Sequence, residues 1–239
     1  MPVPKDINYA EFAHDTYKPV NSRRKKIYHM ILNENQSDLY HSVYANPMTK
    51  EMHLSIRGTD PTHLPDLSAD IAIARSKEMD NPRFMASLQK FRDLKNMEQY
   101  RGYKMSVSGH SLAGTIVSEI VGEHGVEGHA YNPGIRPYVT HIGESWYRDD
   151  PTKLIPNRQL MNKNRCRIEH ITSHCKNQAN NLHTYYVKSG AIVDPISETG
   201  RINDVSESGM FLYNNVKKTT TVEFNSAKAA HPHALENYL

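Results

Sequence analysis

Ser111 stands in Gly109-His110-Ser111-Leu112-Ala113-Gly114, close to the pattern G-x-S-x-G, in which a strand turns sharply into a helix and presents a serine hydroxyl. That hydroxyl is a poor nucleophile at neutral pH. It needs a base within hydrogen-bond reach, and the base needs a carboxylate to orient it. Both residue types follow downstream in workable order: Asp194, then His231 and His233 near the end of the chain. His233 is the better base, because it opens a helical pattern through Leu235 and Tyr238 that would dock on the core and fix the imidazole. His231 stays as the alternative base. Asp194-Pro195 is also a common turn opener, but its place at the end of an apolar stretch favours the orienting role. The chemistry implied is nucleophilic attack by a serine through a covalent intermediate.

The flanking sequence contains elements able to position these groups. Tyr103 to Ser108 reads as a strand, and a helix begins just past Ser111. Asn81-Pro82 starts another helix, with a capping side chain before a proline at the first helical position; Phe84, Leu88, Phe91 and Leu94 follow near helical spacing. Ile27 to Leu32, Leu39 to Ala45 and Glu51 to Ile56 read as short strands, turned by Asn33-Glu34-Asn35-Gln36 and Asn46-Pro47. Gly125 to Tyr131, His183 to Val193, Met210 to Tyr213 and Thr219 to Phe224 add further strands, and Tyr9 to Tyr17 a short amphipathic helix. Asp66 to Ala74 reads as a strand or a lid-like helix. Strand, helix, strand, helix, strand predicts an α/β fold with a mostly parallel sheet covered by helices. The 239 residues fit one domain, with a polar insertion at about Arg136 to Leu182.

Composition excludes several other classes. A net charge of +3, from 29 basic and 26 acidic residues, is too balanced for a nucleic-acid partner. Asn21-Ser22-Arg23-Arg24-Lys25-Lys26 is a basic run, read as a solvated lead-in to a strand; the less favoured reading is a patch for an anionic surface. The N-terminus carries no apolar signal region, and no 18 consecutive apolar residues occur, so no secretion signal or spanning helix is visible. An intracellular location is the default expectation. Within CRIEHITSHC, Cys166, His170 and His174 would share one helical face at zinc-like spacing, but Cys175 would point about 100° away from His174. The expectation is ordinary surface chemistry, with no metal and no cofactor; zinc and a Cys166–Cys175 disulfide are the alternatives.

Arg57-Gly58-Thr59 after an apolar strand, Gly109 to Gly114, and Val193-Asp194-Pro195 together resemble the class 3 lipases, the fungal triacylglycerol lipase-like branch of the α/β-hydrolases. His233-Ala234-Leu235-Glu236-Asn237-Tyr238 is similar to the H-x-L-x-N-Y form of that family's histidine motif, associated with small microbial and virus-encoded members; a virion-associated location is therefore open. The resemblance implies an α/β-hydrolase fold with Ser111 as nucleophile, Asp194 as orienting carboxylate and His233 as base. It also implies an oxyanion hole made by Thr59 and the Leu112 N–H. Two positions depart from it. Ala113 stands where the family has glycine, which would crowd the strand–helix approach. Asp66-Leu67-Ser68-Ala69-Asp70 lacks the family's Trp, and Leu64, Leu67 and Ile71 offer only a small apolar lid face. The expected activity is hydrolysis of carboxylic esters, lipid esters foremost, with transient membrane-surface contact. A thioesterase or peptidase with the same triad, and a non-catalytic lipid- or membrane-surface binding protein on the same fold, are the alternatives.

Overall fold

A computed structural model of the chain describes residues 7–58, 82–133, 177–178, 180–188, 218–223 and 238–239. Ile27 to Leu32 is not the single strand its apolar pattern suggests. Tyr28 takes a positive φ of 53°, which reverses the chain. Two short strands result, β1 (Lys26–Ile27) and β2 (Met30–Leu32), paired antiparallel with Ile27 opposite Met30. β3 (His41–Asn46) and β4 (Glu51–Ile56) continue the antiparallel half. From β4 onward the sheet is parallel, through β5 (Lys104–His110), β6 (Glu127–Tyr131), β7 (Leu182–Lys188) and β8 (Lys218–Glu223). Sheet order equals chain order throughout.

The two faces of the sheet differ in chemistry because the strands alternate. Val43, Leu54, Val107 and Ala130 point to one face, which is covered by α2 (Pro82–Asn96) and α3 (Leu112–His124). α2 begins at Pro82 and buries Phe84, Leu88, Phe91 and Leu94, as its spacing predicts. α3 is buried from Leu112 to Gly122, which makes it a central helix rather than an amphipathic one. Gly125, at φ 67°, ends it, with its N–H donating to the Val121 carbonyl at 2.8 Å.

The opposite face is aromatic and polar. It lies under α1 (Ala10–Asp15) and holds Tyr44, His53 and Ser106, with Phe12 of α1 packed on the first two. His53 on β4 is fully buried, with Nδ1 2.8 Å from Ser106 Oγ and Nε2 2.8 Å from Ser108 Oγ, both serines on β5. Burial, helped by the nearby His129, holds its pKa well below the ordinary value, so the ring is neutral.

The basic run leads into β1 with Arg24, Lys25 and Lys26 exposed, as expected, but Arg23 within it is not solvated. Arg23 is 2% exposed. Its guanidinium donates to the carbonyls of His41 at 2.7 Å, Lys18 and Thr16 at 3.0 Å, and Leu39 at 3.2 Å, tying the end of α1 to the start of β3. Arg24 pairs with Glu11 and Asp15, and Lys25 with Glu34. A planar fork of donors suits a site where several carbonyls converge, so the Arg23 charge is spent inside the fold, while Arg24 and Lys25 form surface pairs.

Of the polar stretch after Arg136, the described residues are its last few. Gln178 donates to the Ser118 carbonyl and hydroxyl on α3, Asn177 donates to the Gly122 carbonyl, and Leu182 sits in the apolar core. Asp66 to Ala74, Met210 to Tyr213 and the Cys166, His170, His174 and Cys175 cluster lie outside the described residues. Among the described residues, no helix is long and apolar enough to cross a membrane, and no group of His, Cys, Asp or Glu is arranged to hold a metal ion.

Candidate active site

Ser111 sits at the turn from β5 into α3, with φ 58° and ψ −125°. A non-glycine residue in that region costs roughly 1–3 kcal/mol and persists only where its surroundings over-determine it. Here they do. The Ser111 N–H donates to the Tyr131 carbonyl at 2.9 Å, and its carbonyl accepts from the Gly114 N–H at 2.9 Å. Leu112 is the first residue of α3, so its N–H has no acceptor within the helix and lies at the positive end of the helix dipole.

Three small residues let the turn close. A β-carbon on Gly109 would lie 2.7 Å from the Ala113 methyl and 2.8 Å from the Ala113 carbonyl carbon. The methyl of Ala113 is therefore accommodated because Gly109 opposite it has no side chain. Gly114 in turn packs against Pro133, whose Cα would be 2.7 Å from an added β-carbon.

The end of β4 forms the second wall. Ile56 pairs with Gly109, so Gly58 and Ser111 each stand two residues beyond a paired position. A β-carbon on Gly58 would meet the Tyr17 hydroxyl at 2.2 Å and the His110 carbonyl oxygen at 2.3 Å. Tyr17, just past α1, hydrogen-bonds His110 Nδ1 at 2.9 Å, and the Arg57 guanidinium lies 5.9 Å from the centre of its ring. Arg83, the second residue of α2, donates from Nη2 to the carbonyls of both Arg57 and Gly58, each at 2.8 Å. Its guanidinium lies 4.5 Å from the centre of the Tyr40 ring. Sequence reading missed Tyr17 and Arg83. Neither sits in a motif, and both act across distance in the chain.

The C-terminal end reaches the same region. The Tyr238 hydroxyl lies 2.7 Å from Asn132 Oδ1 and 3.1 Å from the Tyr185 carbonyl, and the Tyr238 carbonyl accepts from Asn8 at 2.9 Å. Its ring centre is 5.1 Å from that of Tyr131, whose carbonyl holds the Ser111 N–H. Tyr238 lies five residues after His233 in the sequence. Of the predicted site residues, the structure brings together Ser111 and Leu112. Thr59, Asp194, His231 and His233 lie outside the described residues.

No family model matches the chain, and no curated protein does. Among solved structures it is similar to the Lip2 lipase of Yarrowia lipolytica, at 15% identity and a TM-score of 0.32, over 53% of this chain and 57% of that one. It therefore spans little more than half the length of that lipase. It is also similar to a fungal lipase solved with an inhibitor, at 14% identity and a TM-score of 0.33, over 57% of this chain and 73% of that one. A lipase-esterase related protein from Clostridium acetobutylicum follows at 13% identity and a TM-score of 0.30, over 59% and 66% of the two chains. With its parallel sheet from β4 to β8 and the helices that cover it, the chain has the α/β architecture its sequence predicts, with a strained serine between β5 and α3.

Proposed function

We propose that the chain is a serine hydrolase of carboxylic esters, with lipid esters as the substrate class. The observation that carries this reading is the strained Ser111 at the head of α3, held in its turn by Tyr131 and Gly114. Backbone strain of this kind clusters at active sites, and a strand–helix turn is the element that presents a serine side chain for use. In the proposed reaction Ser111 Oγ attacks the ester carbonyl while His233 takes its proton. Asp194 orients the imidazole and stabilises its charged form. The Thr59 and Leu112 N–H groups receive the oxyanion. His233 then protonates the leaving alcohol, and water attacks the acyl-enzyme by the same route in reverse, releasing the acid and restoring Ser111.

A fluorophosphonate probe tests this directly. It should label Ser111, located by peptide mass spectrometry, and Ser111→Ala should lose both labelling and turnover of p-nitrophenyl esters. Wild-type protein that neither labels nor turns over any ester sinks the proposal. Thioesters, peptides, short esters, triacylglycerol and phospholipid, run side by side, set the substrate class. No feature of the described residues favours the non-catalytic surface-binding alternative, since three of the four charges in its basic run are engaged within the chain.

A further inference from the structure

We propose that Asn132 is a positioning residue for Ser111, acting through the residues on either side of it, Tyr131 and Pro133. The inference rests on the esterase reading and extends it to the end of β6. The strained turn at Ser111 is held at its N–H by the Tyr131 carbonyl and at its carbonyl by the Gly114 N–H, each at 2.9 Å. Both restraints trace back to Asn132. The Tyr131 carbonyl and the Asn132 N–H belong to one planar peptide unit and point in opposite directions. The Asn132 N–H donates to the Tyr185 carbonyl at 2.8 Å, which fixes the far end of that plate to β7. Pro133 follows directly and fills the space beside Gly114, where an added β-carbon would stand 2.7 Å from the Pro133 Cα.

Asn132 takes a positive φ of 38° where the chain leaves β6. A residue before proline is ordinarily driven to negative φ, and asparagine is one of the few side chains that tolerate the positive region. The residue is 1% exposed, and its side chain is locked from the C-terminal end. The Tyr238 hydroxyl lies 2.7 Å from Asn132 Oδ1 and 3.1 Å from the Tyr185 carbonyl, the same oxygen that takes the Asn132 N–H. The hydroxyl has one proton to donate and shares it between these two acceptors. Asn132 is thus held by backbone and side chain at once. The bend it keeps sets the Tyr131 carbonyl against the Ser111 N–H and Pro133 against Gly114.

The test compares wild type, Asn132→Gly, Asn132→Ala, Leu94→Ala and Ser111→Ala. It reads turnover of a p-nitrophenyl ester, the rate of fluorophosphonate labelling, thermal melting, and hydrogen exchange of the peptide spanning residues 109–114. Asn132→Gly keeps the positive φ and removes only the side chain that Tyr238 holds. Its kcat should fall about 10-fold with KM within about two-fold. Asn132→Ala should lose more, since alanine also resists the bend. Labelling of Ser111 should slow in step with kcat, and exchange at 109–114 should quicken. Leu94→Ala lowers melting through the apolar core, at the end of α2 that leads into the start of β5, and should keep kcat within about two-fold of wild type. A folded Asn132→Gly whose kcat or labelling rate stays within about two-fold of wild type overturns the proposal. So does an equal kcat loss in Leu94→Ala, which would make the effect one of general stability. If wild type turns over no ester and Ser111 takes no probe, the esterase reading fails on its own. The exchange arm then decides the positioning: quickened exchange at 109–114 in Asn132→Gly upholds it, and unchanged exchange overturns it.

Discussion

Gly58 lies so close to His110 that a β-carbon added to it would stand 2.3 Å from the His110 carbonyl oxygen. The neighbour is backbone of the elbow strand and cannot swing away. Gly58→Ala should therefore push the β4 corner off the elbow, destabilising the fold by about 1–3 kcal/mol and lowering kcat at least ten-fold. Melting and ester kinetics on the purified variant check this. Full activity would mean that the corner has slack the geometry denies. Tyr17→Phe, which removes the other obstacle, should not rescue it.

Gly109 and Ala113 face each other with only one methyl between them. Ala113→Gly should leave activity within about three-fold and cost no more than about 1 kcal/mol, the ordinary penalty for glycine in a helix. Gly109→Ala should abolish labelling of Ser111. The double change should fail too, because the carbonyl carbon and oxygen of residue 113 remain 2.8 Å from the added carbon. Recovery in the double variant would show that the methyl, not the backbone, sets the limit.

Arg23→Ala leaves four converging carbonyls without their donor. A loss of about 3 kcal/mol is expected, against less than about 0.5 kcal/mol for the exposed Lys26→Ala. Denaturant unfolding of the two variants distinguishes them. Equal small losses would mean that water replaces the guanidinium without penalty.

Tyr238 anchors the end of the chain through Asn132 and Tyr185. Tyr238→Phe should lower the melting temperature by about 2–4 °C, the equivalent of roughly 1 kcal/mol in a chain of this size. If the anchor also steadies His233, kcat should fall several-fold with KM unchanged. A melting shift with undiminished kcat would separate the tail's packing from catalysis.

Glu127 titrates far below its ordinary range, at about 2 instead of 4.5, chiefly through His129, whose Nε2 lies 3.5 Å from its carboxylate. A carboxyl depressed by folding contributes stability that is complete above its unfolded value and is lost as pH falls through the folded one. The melting temperatures of wild type and Glu127→Gln should therefore differ most above pH 4.5 and converge as the pH approaches about 2. A gap that stays constant over that window would show that the pair adds nothing to stability.

What was legible in the chain was local. The elbow, the helix start at Pro82 and the strands β3 to β6 each carry their signal within a few residues, and the structure places them accordingly. The Tyr28 reversal was not legible, because a tyrosine at positive φ has no composition that announces it. Arg23 misled for a related reason: in a basic run it reads as solvated, and only the carbonyls gathered from Thr16 to His41 make burial favourable. Arg83 and Tyr17 reach partners 25 and 93 residues away, beyond any motif. Asp194 and His233 rest on sequence order and resemblance.

His53 has a consequence for the elbow although it is buried in the sheet. Its two ring nitrogens touch Ser106 and Ser108, successive residues on the same face of β5. If β5 slipped by one residue, both serines would turn to the other face; a slip of two would leave one nitrogen empty. Each residue of slip moves one strand past its neighbour by about 3.3 Å, more than the whole tolerance of a hydrogen bond. The imidazole therefore works as a registration mark between β4 and β5. It sets, from the interior of the sheet, how far the corner at Gly58 stands from the turn at Ser111.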